Sequence, residues 1–280
     1  MIYGSRYQTL LDEITNWAEQ EYTVKALIII GSQVQPKGLT DIWSDLDLMM
    51  LVETPQIYLS DDDWLESFEE VACSYIDDMS LGNLDWRWTV KRVLFSKGLD
   101  VDFSILPVEY LDSVLDINRE IIAQGHCIIY DSTGIIEDKI QAQYHRPEIE
   151  ELEISGLVNV INDILYNVVW TKKRLLRGEL WNAVYNINSH INKQLLRLIE
   201  TQNQKPGEIS YDGRYLETRT NKDILSSLSN CYSKYDLEDA LSTLDYIFEF
   251  TKTLAANLAK MHNFKINKMM FTRINDIKIA

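Results

Sequence analysis

Two aspartates, Asp45 and Asp47, stand one residue apart where the chain enters the apolar run Leu48 to Val52. On an extended strand, side chains alternate, so these two carboxylates share a face while Leu46 and Leu48 take the other. At about 5 Å and an effective dielectric near 20, two unit charges repel by roughly 3 kcal/mol, so the arrangement calls for a counter-charge. A divalent cation supplies one, and magnesium commonly binds through one or two carboxylates together with substrate phosphates. An isolated Asp-x-Asp serves equally well as a pair of turn residues. The surroundings favour the metal reading. Gly31-Ser32 closes the preceding apolar run Ala26 to Ile30, where a missing Cβ admits a phosphate to the backbone and a hydroxyl can donate to it. A third acid, Asp102, follows later, with Asp100 two residues before it.

These residues need elements to hold them. Ala26 to Ile30 and Asp47 to Val52 are short, β-rich runs closed by Gly31 and by Thr54-Pro55, and both read as buried strands. Thr89 to Phe95 and Leu99 to Leu106 read as two strands joined at Ser96-Lys97-Gly98, which puts Asp100 and Asp102 on a hairpin strand. An amphipathic helix is expected from Tyr7 to Ala18, with Leu10, Leu11 and Ile14 on its buried stripe. Ser60 followed by Asp61, Asp62 and Asp63 reads as the capped start of a second helix, with Trp64, Phe68, Val71, Ala72 and Tyr75 as its apolar stripe.

Beyond about residue 150 the texture changes. Ile154 to Leu176, Leu180 to Ile199 and Leu237 to Leu258 have helical periodicity, with a polar loop from Thr201 to Gly213. Tyr166 and Trp170 read as core. The expected organisation is α+β: a mixed-sheet domain over residues 1–147, then an all-helical domain over residues 148–280, divided near His145-Arg146-Pro147.

Composition narrows the partners. The 280-residue chain carries a formal charge of -16, which argues against nucleic acid, whose binding depends on lysine and arginine neutralising phosphates. An acidic surface favours a cationic ligand. No apolar run approaches the roughly 20 residues of a membrane span, and the start lacks a signal pattern, so the expected location is the cytoplasm. Cys73, Cys127 and Cys231 lack metal-ligand spacing and are expected to be reduced thiols. Oligomeric state leaves no trace in the sequence.

An apolar strand, Gly-Ser, a twelve-residue spacer, Asp-apolar-Asp-apolar and a later acid on a neighbouring strand together resemble the DNA polymerase β-like nucleotidyltransferase superfamily. Within it the chain most resembles the aminoglycoside 6-adenylyltransferases, which modify streptomycin. The resemblance is carried by "LIIIGS", "WSDLDLMML", "WLESF" and "VDFSILP", and more weakly by "RGELWNAVYNI", "GRYL" and "YSKYDLEDALSTLDYIFEF". It implies transfer of AMP from ATP to an aminoglycoside hydroxyl with release of pyrophosphate, using two Mg2+ ions. Asp45 and Asp47 would hold both ions; Asp102 would complete one site as ligand or act as general base. Gly31, Ser32 and the residue after them would hold the triphosphate. The family often has arginine at that last position, where this chain has Gln33; Lys193, or Arg197 one turn on, is the candidate to supply the charge.

Asp163 and Glu179 on the helical half are candidates to bind amines or guanidines of the acceptor in a cleft between the domains, or else are ordinary exposed helix charges. Asp100 either adds negative charge beside the attacking hydroxyl or is a solvated residue after the turn. Three alternatives stay open: another small hydroxylated acceptor such as a lincosamide, a protein acceptor, or a nucleotide-binding protein without catalysis.

Overall fold

The computed structural model describes residues 6–34, 43–79, 85–143, 154–203, 212–214 and 216–277. The chain separates into two compact units, Met1–Glu148 and Ile149–Ala280. The predicted boundary at residues 145–147 and most of the predicted 201–213 loop lie outside the described residues.

The first unit begins with helix α1 (Gln8–Gln20) and strand β1 (Val24–Ile30), followed by β2 (Leu46–Val52), a short helix α2 (Pro55–Ser60) and strands β3 (Val71–Asp78), β4 (Thr89–Phe95) and β5 (Asp100–Pro107). Helices α3 (Leu111–Ile117) and α4 (Arg119–Gln124), strand β6 (Cys127–Asp131) and helix α5 (Ile136–Gln143) complete it. The six strands form one mixed sheet in the order β3-β4-β5-β2-β1-β6. Only β2 and β5 run parallel; every other neighbouring pair is antiparallel.

Strand alternation divides the core into two layers. Leu27, Ile29, Leu48, Met50, Phe103 and Ile105 pack with Leu10, Leu11 and Ile14 of α1. Ala26, Ile28, Met49, Leu51 and Leu106 pack on the opposite face with Leu111, Val114 and Leu115 of α3 and Ile136 of α5. Full burial of such side chains contributes roughly 1.5–3 kcal/mol each, which is why the sheet can carry charged residues at one end.

One expected element is absent. The helix expected from Ser60 to Tyr75 is instead the end of α2, a 3-10 turn (Asp63–Ser67) and strand β3. Ser60 closes α2 rather than capping a new helix, its hydroxyl donating to Ile57 O. Asp62 meets Lys91, which is 1% exposed and also donates to Tyr58 O and Asp61 O. Trp64 stacks on Trp17 and meets Tyr58, Phe68 and Phe103 edge-on, while Phe68 also meets Trp17 edge-on. The following residues satisfy their backbone by pairing with β4, a tertiary opportunity that overrides a helix-like stripe.

The second unit contains α6 (Ile154–Leu176), α7 (Leu180–Asn186), α8 (Asn192–Asn203), α9 (Leu216–Arg219), α10 (Lys222–Ser229), α11 (Leu237–Met261) and α12 (Lys268–Asn275). Apolar stripes of α6, α8 and α11 form its core, with Ile161, Ile164, Leu195, Leu198, Leu244, Ile247 and Leu254 buried. The expected helix Leu180 to Ile199 is broken by a π-helical turn at Ile187–Ile191. No helix among the described residues is long and apolar enough to cross a membrane.

Candidate active site

The sheet register brings the acids together. Asp47 lies opposite Ile30 on β1 and Asp102 on β5, so the two carboxylates are nearest neighbours across the parallel pair. Asp45 sits just before β2. Ligand oxygens of Asp45, Asp47 and Asp102 all fall within 4.8 Å of one another, and the three residues are partly buried. Hard carboxylate oxygens at this separation fit divalent magnesium rather than a softer ion.

Gly31 ends β1 with φ +71, a left-handed conformation that glycine adopts without strain. A Cβ there would overlap Asp47 Oδ2 and stand 3.0 Å from Asp47 Cγ. The glycine is therefore required by the aspartate: its missing side chain is the space the carboxylate occupies. Ser32 follows in a 3-10 turn (Gly31–Val34) and is partly buried.

Gln33, expected at the triphosphate, is 1% exposed, and its side chain donates to Ser44 O at 3.2 Å and Asp45 O at 3.0 Å. An amide engaged with two backbone carbonyls ties the 3-10 turn to the approach to β2, and so positions Asp45. That is a structural service the sequence reading overlooked.

It also overlooked Arg92 and Asp77. Arg92 on β4 lies opposite Asp102 on β5, and Nη1 donates to Asp102 Oδ2. Its Nε reaches Asp77 Oδ2 on β3 at 3.3 Å. By alternation, Asp77, Arg92, Asp102 and Asp47 form a row of charges across four strands on one sheet face. The hairpin contained the signal, because pairing about Ser96-Lys97-Gly98 sets Leu94 opposite Asp100 and Arg92 opposite Asp102. Asp77 was hidden by the helix expected over β3.

Burial pushes the Asp102 carboxyl above the ordinary carboxylate range; Arg92 opposes that shift, while Asp100 and Asp45 reinforce it. Asp100 is raised for the same leading reason, burial, with Asp45 adding to it. Arg92 is raised although burial alone would lower it, because Asp102, Tyr75 and Asp77 all favour its charged form. One cation thus stands among more carboxylates than it can neutralise.

The remaining candidates lie in the helical unit. Asp163 is engaged rather than solvated: Asn167 Nδ2 donates to it at 2.7 Å, and His190 Nε2, carried on the π-helical turn, stands 3.0 Å from Oδ2. Asn186 extends this polar seam, donating to Thr171 Oγ1 at 2.8 Å. Glu179 is held by Arg174 at 2.6 Å and Arg177 at 3.0 Å, and the Arg174 hydrogen bond draws its pKa down. Lys193 is exposed on α8, and Arg197 donates to Gln194 Oε1 at 3.1 Å. Tyr166, expected in the core, is 67% exposed. Trp181 and Tyr185, which the sequence reading did not single out, stack in parallel with centroids 5.2 Å apart and are both exposed.

Comparison with known proteins gives this geometry a family. A relative, the aminoglycoside 6-adenylyltransferase of Campylobacter jejuni, is 22% identical over 191 residues, covering 67% of this chain and 64% of that protein. The matched stretch therefore spans less than two thirds of the relative's length. A solved structure, an aminoglycoside 6-adenyltransferase from Bacillus subtilis, aligns at 15% identity with a TM-score of 0.41, covering 96% of this chain and 98% of that one. The model of the family described as streptomycin adenylyltransferase matches residues 5–277. With the match running through both units, the chain belongs to the streptomycin adenylyltransferase family.

Proposed function

We propose that the protein transfers AMP from ATP to a hydroxyl of an aminoglycoside, streptomycin first among them, and releases pyrophosphate. The observation that carries this reading is the convergence of Asp45 and Asp47, at the start of β2, with Asp102 of the neighbouring β5, beside Gly31. In the reaction the acceptor oxygen forms a bond to the α-phosphorus of ATP, the bond from that phosphorus to the bridging oxygen breaks, and pyrophosphate departs. Asp45 and Asp47 would hold two Mg2+ ions and Asp102 would complete one of the two sites. Bound there, the ions supply charge stabilisation for the entering and leaving oxygens of an in-line displacement.

Alternatively, Asp102 acts not as a metal ligand but as the general base that receives the hydroxyl proton. The Gly31-Ser32 turn is the assigned seat of the triphosphate. In this reading the first unit is the catalytic domain and the helical unit the substrate-binding domain. Asp163, with an exposed aromatic at Tyr166 one turn on, is a better candidate for a cationic acceptor than Glu179, whose two arginine partners would have to be displaced. An acidic chain with a formal charge of -16 favours such an acceptor and disfavours nucleic acid.

The test is pyrophosphate release from purified protein with ATP, magnesium and a panel of acceptors. Release with streptomycin is the expected result. Release only with a lincosamide or a protein would keep the chemistry and replace the acceptor; nucleotide binding without release for any acceptor would remove catalysis from the reading.

A further inference from the structure

Carboxylates that gather to bind a cation repel each other until it arrives, and this protein has a resident cation in the way. Arg92 contacts Asp102 through Nη1 and Asp77 through Nε, using two edges of one guanidinium. The three side chains come from adjacent strands, β5, β4 and β3, with exposures of 12% for Asp102, 33% for Arg92 and 38% for Asp77. The innermost partner is thus the member of the acid triad, and the outermost is an acid on the edge strand that belongs to no ligand set. Tyr75, directly opposite Arg92 on β3, lines the same face.

We infer that Arg92 is a built-in competitor for the metal site: it holds Asp102 when no divalent cation is bound, yields that carboxylate when one binds, and is retained by Asp77. This rests on the reading of Asp45, Asp47 and Asp102 as metal ligands, and gives Arg92 and Asp77 parts in it. The physical reason is direct. A guanidinium that bonds an oxygen of Asp102 both occupies a ligand atom and repels an incoming dication, whereas its second partner lets it remain neutralised after release. The consequence is weak loading of the free protein. A triphosphate brings the negative charge that offsets Arg92, so the ion is expected to load with nucleotide rather than before it.

The competition predicts opposite signs for its two partners. Mn2+ affinity of the nucleotide-free protein, read from the electron paramagnetic resonance signal of the free ion, should tighten by about tenfold or more in Arg92→Met, because a unit charge a few ångströms from a dication is removed. In Asp77→Asn it should weaken, because Arg92 then has Asp102 as its only remaining acid partner of the two. Arg92→Lys, which keeps the charge, should stay near the parent. Asp47→Asn identifies the site by abolishing the binding. Unchanged or weaker binding in Arg92→Met overturns the inference, as does unchanged or tighter binding in Asp77→Asn, which decides the matter even if the arginine variant does not fold. If neither the parent nor Arg92→Met binds Mn2+ at millimolar concentration without nucleotide, this inference fails; the metal reading of the three acids fails as well only if pyrophosphate release also proves independent of divalent cation. Binding that needs Asp47 but ignores both Arg92 and Asp77 removes this inference alone.

Discussion

Gly31→Ala isolates the coupling between one missing side chain and one carboxylate. At φ +71 an alanine pays a left-handed backbone penalty of roughly 1–2 kcal/mol, independent of its surroundings. Its Cβ would also overlap Asp47 Oδ2, with Asp47 Cγ at 3.0 Å and Asp47 Cβ at 3.3 Å, so the carboxylate must turn away. A displaced rotamer adds about 1 kcal/mol. Folding should therefore survive with a total loss of roughly 2–3 kcal/mol. Activity should suffer more, because moving a reacting or ligand group by about 1 Å costs on the order of 100-fold. The assay is pyrophosphate release with whichever acceptor supports it in the panel, alongside urea unfolding of Gly31→Ala, Asp47→Ala and the double variant. In the Asp47→Ala background the overlap is gone, so the alanine at position 31 should cost only the backbone part, leaving a coupling of about 1 kcal/mol. Turnover within a few-fold of the parent, or the same stability cost in both backgrounds, would refute the argument that the carboxylate occupies the space the glycine leaves.

Three further outcomes follow from other parts of the molecule. Asp47→Asn removes one charge from a crowded group at little change in size, so melting without magnesium should not fall while turnover and any magnesium-induced rise in Tm are lost; activity near the parent level would reduce the acids to turn residues. Asp131 accepts from Thr133 N at 2.8 Å, Thr133 Oγ1 at 2.6 Å, Gly134 N at 3.0 Å and Ile136 N at 3.1 Å. Burial opposes its ionisation, but these donors outweigh it and hold its pKa below the ordinary 3.8. Its stabilisation is thus present above the unfolded pKa and lost as pH falls through the folded one; Asp131→Ala should cost about 2 kcal/mol at neutral pH and progressively less in acid, as measured by chemical unfolding. Burial pushes the Cys231 thiol up to about 12, whereas Cys73 is exposed on β3. A thiol reagent should modify Cys73 in the native protein and reach Cys231 only after denaturation, and rapid native labelling of Cys231 would contradict the packing.

Legibility followed the range of the forces involved. Strands β1, β2, β4 and β5 and helices α6 and α11 announce themselves because a short apolar, β-branched run or an apolar stripe at helical spacing is information contained in neighbouring residues. The approach of Asp47 to Asp102 could be anticipated from strand parity once the hairpin was recognised, and Gly31 could be singled out as a place for close approach. Its tenant is an aspartate side chain, which no local pattern states.

Where a residue had two adequate local futures, its partners chose between them. Val71 to Tyr75 carry a stripe fit for a helix, but β4 offers an edge with unpaired backbone groups, and the segment becomes β3. That choice brings Asp77 to Arg92. Gln33 could face a phosphate or the protein, and the carbonyls of Ser44 and Asp45 claim it. Tyr166 lies on a helix whose buried side is already filled by Ile161, Ile164, Leu165 and Val168, so it faces outward. Periodicity and residue chemistry thus sufficed for elements that bury a stripe and for singling out Asp45, Asp47 and Asp102, whose carboxylates the fold brings together. The pairing of charges across the sheet came from register, a property of two strands together, and could not reside in either segment alone.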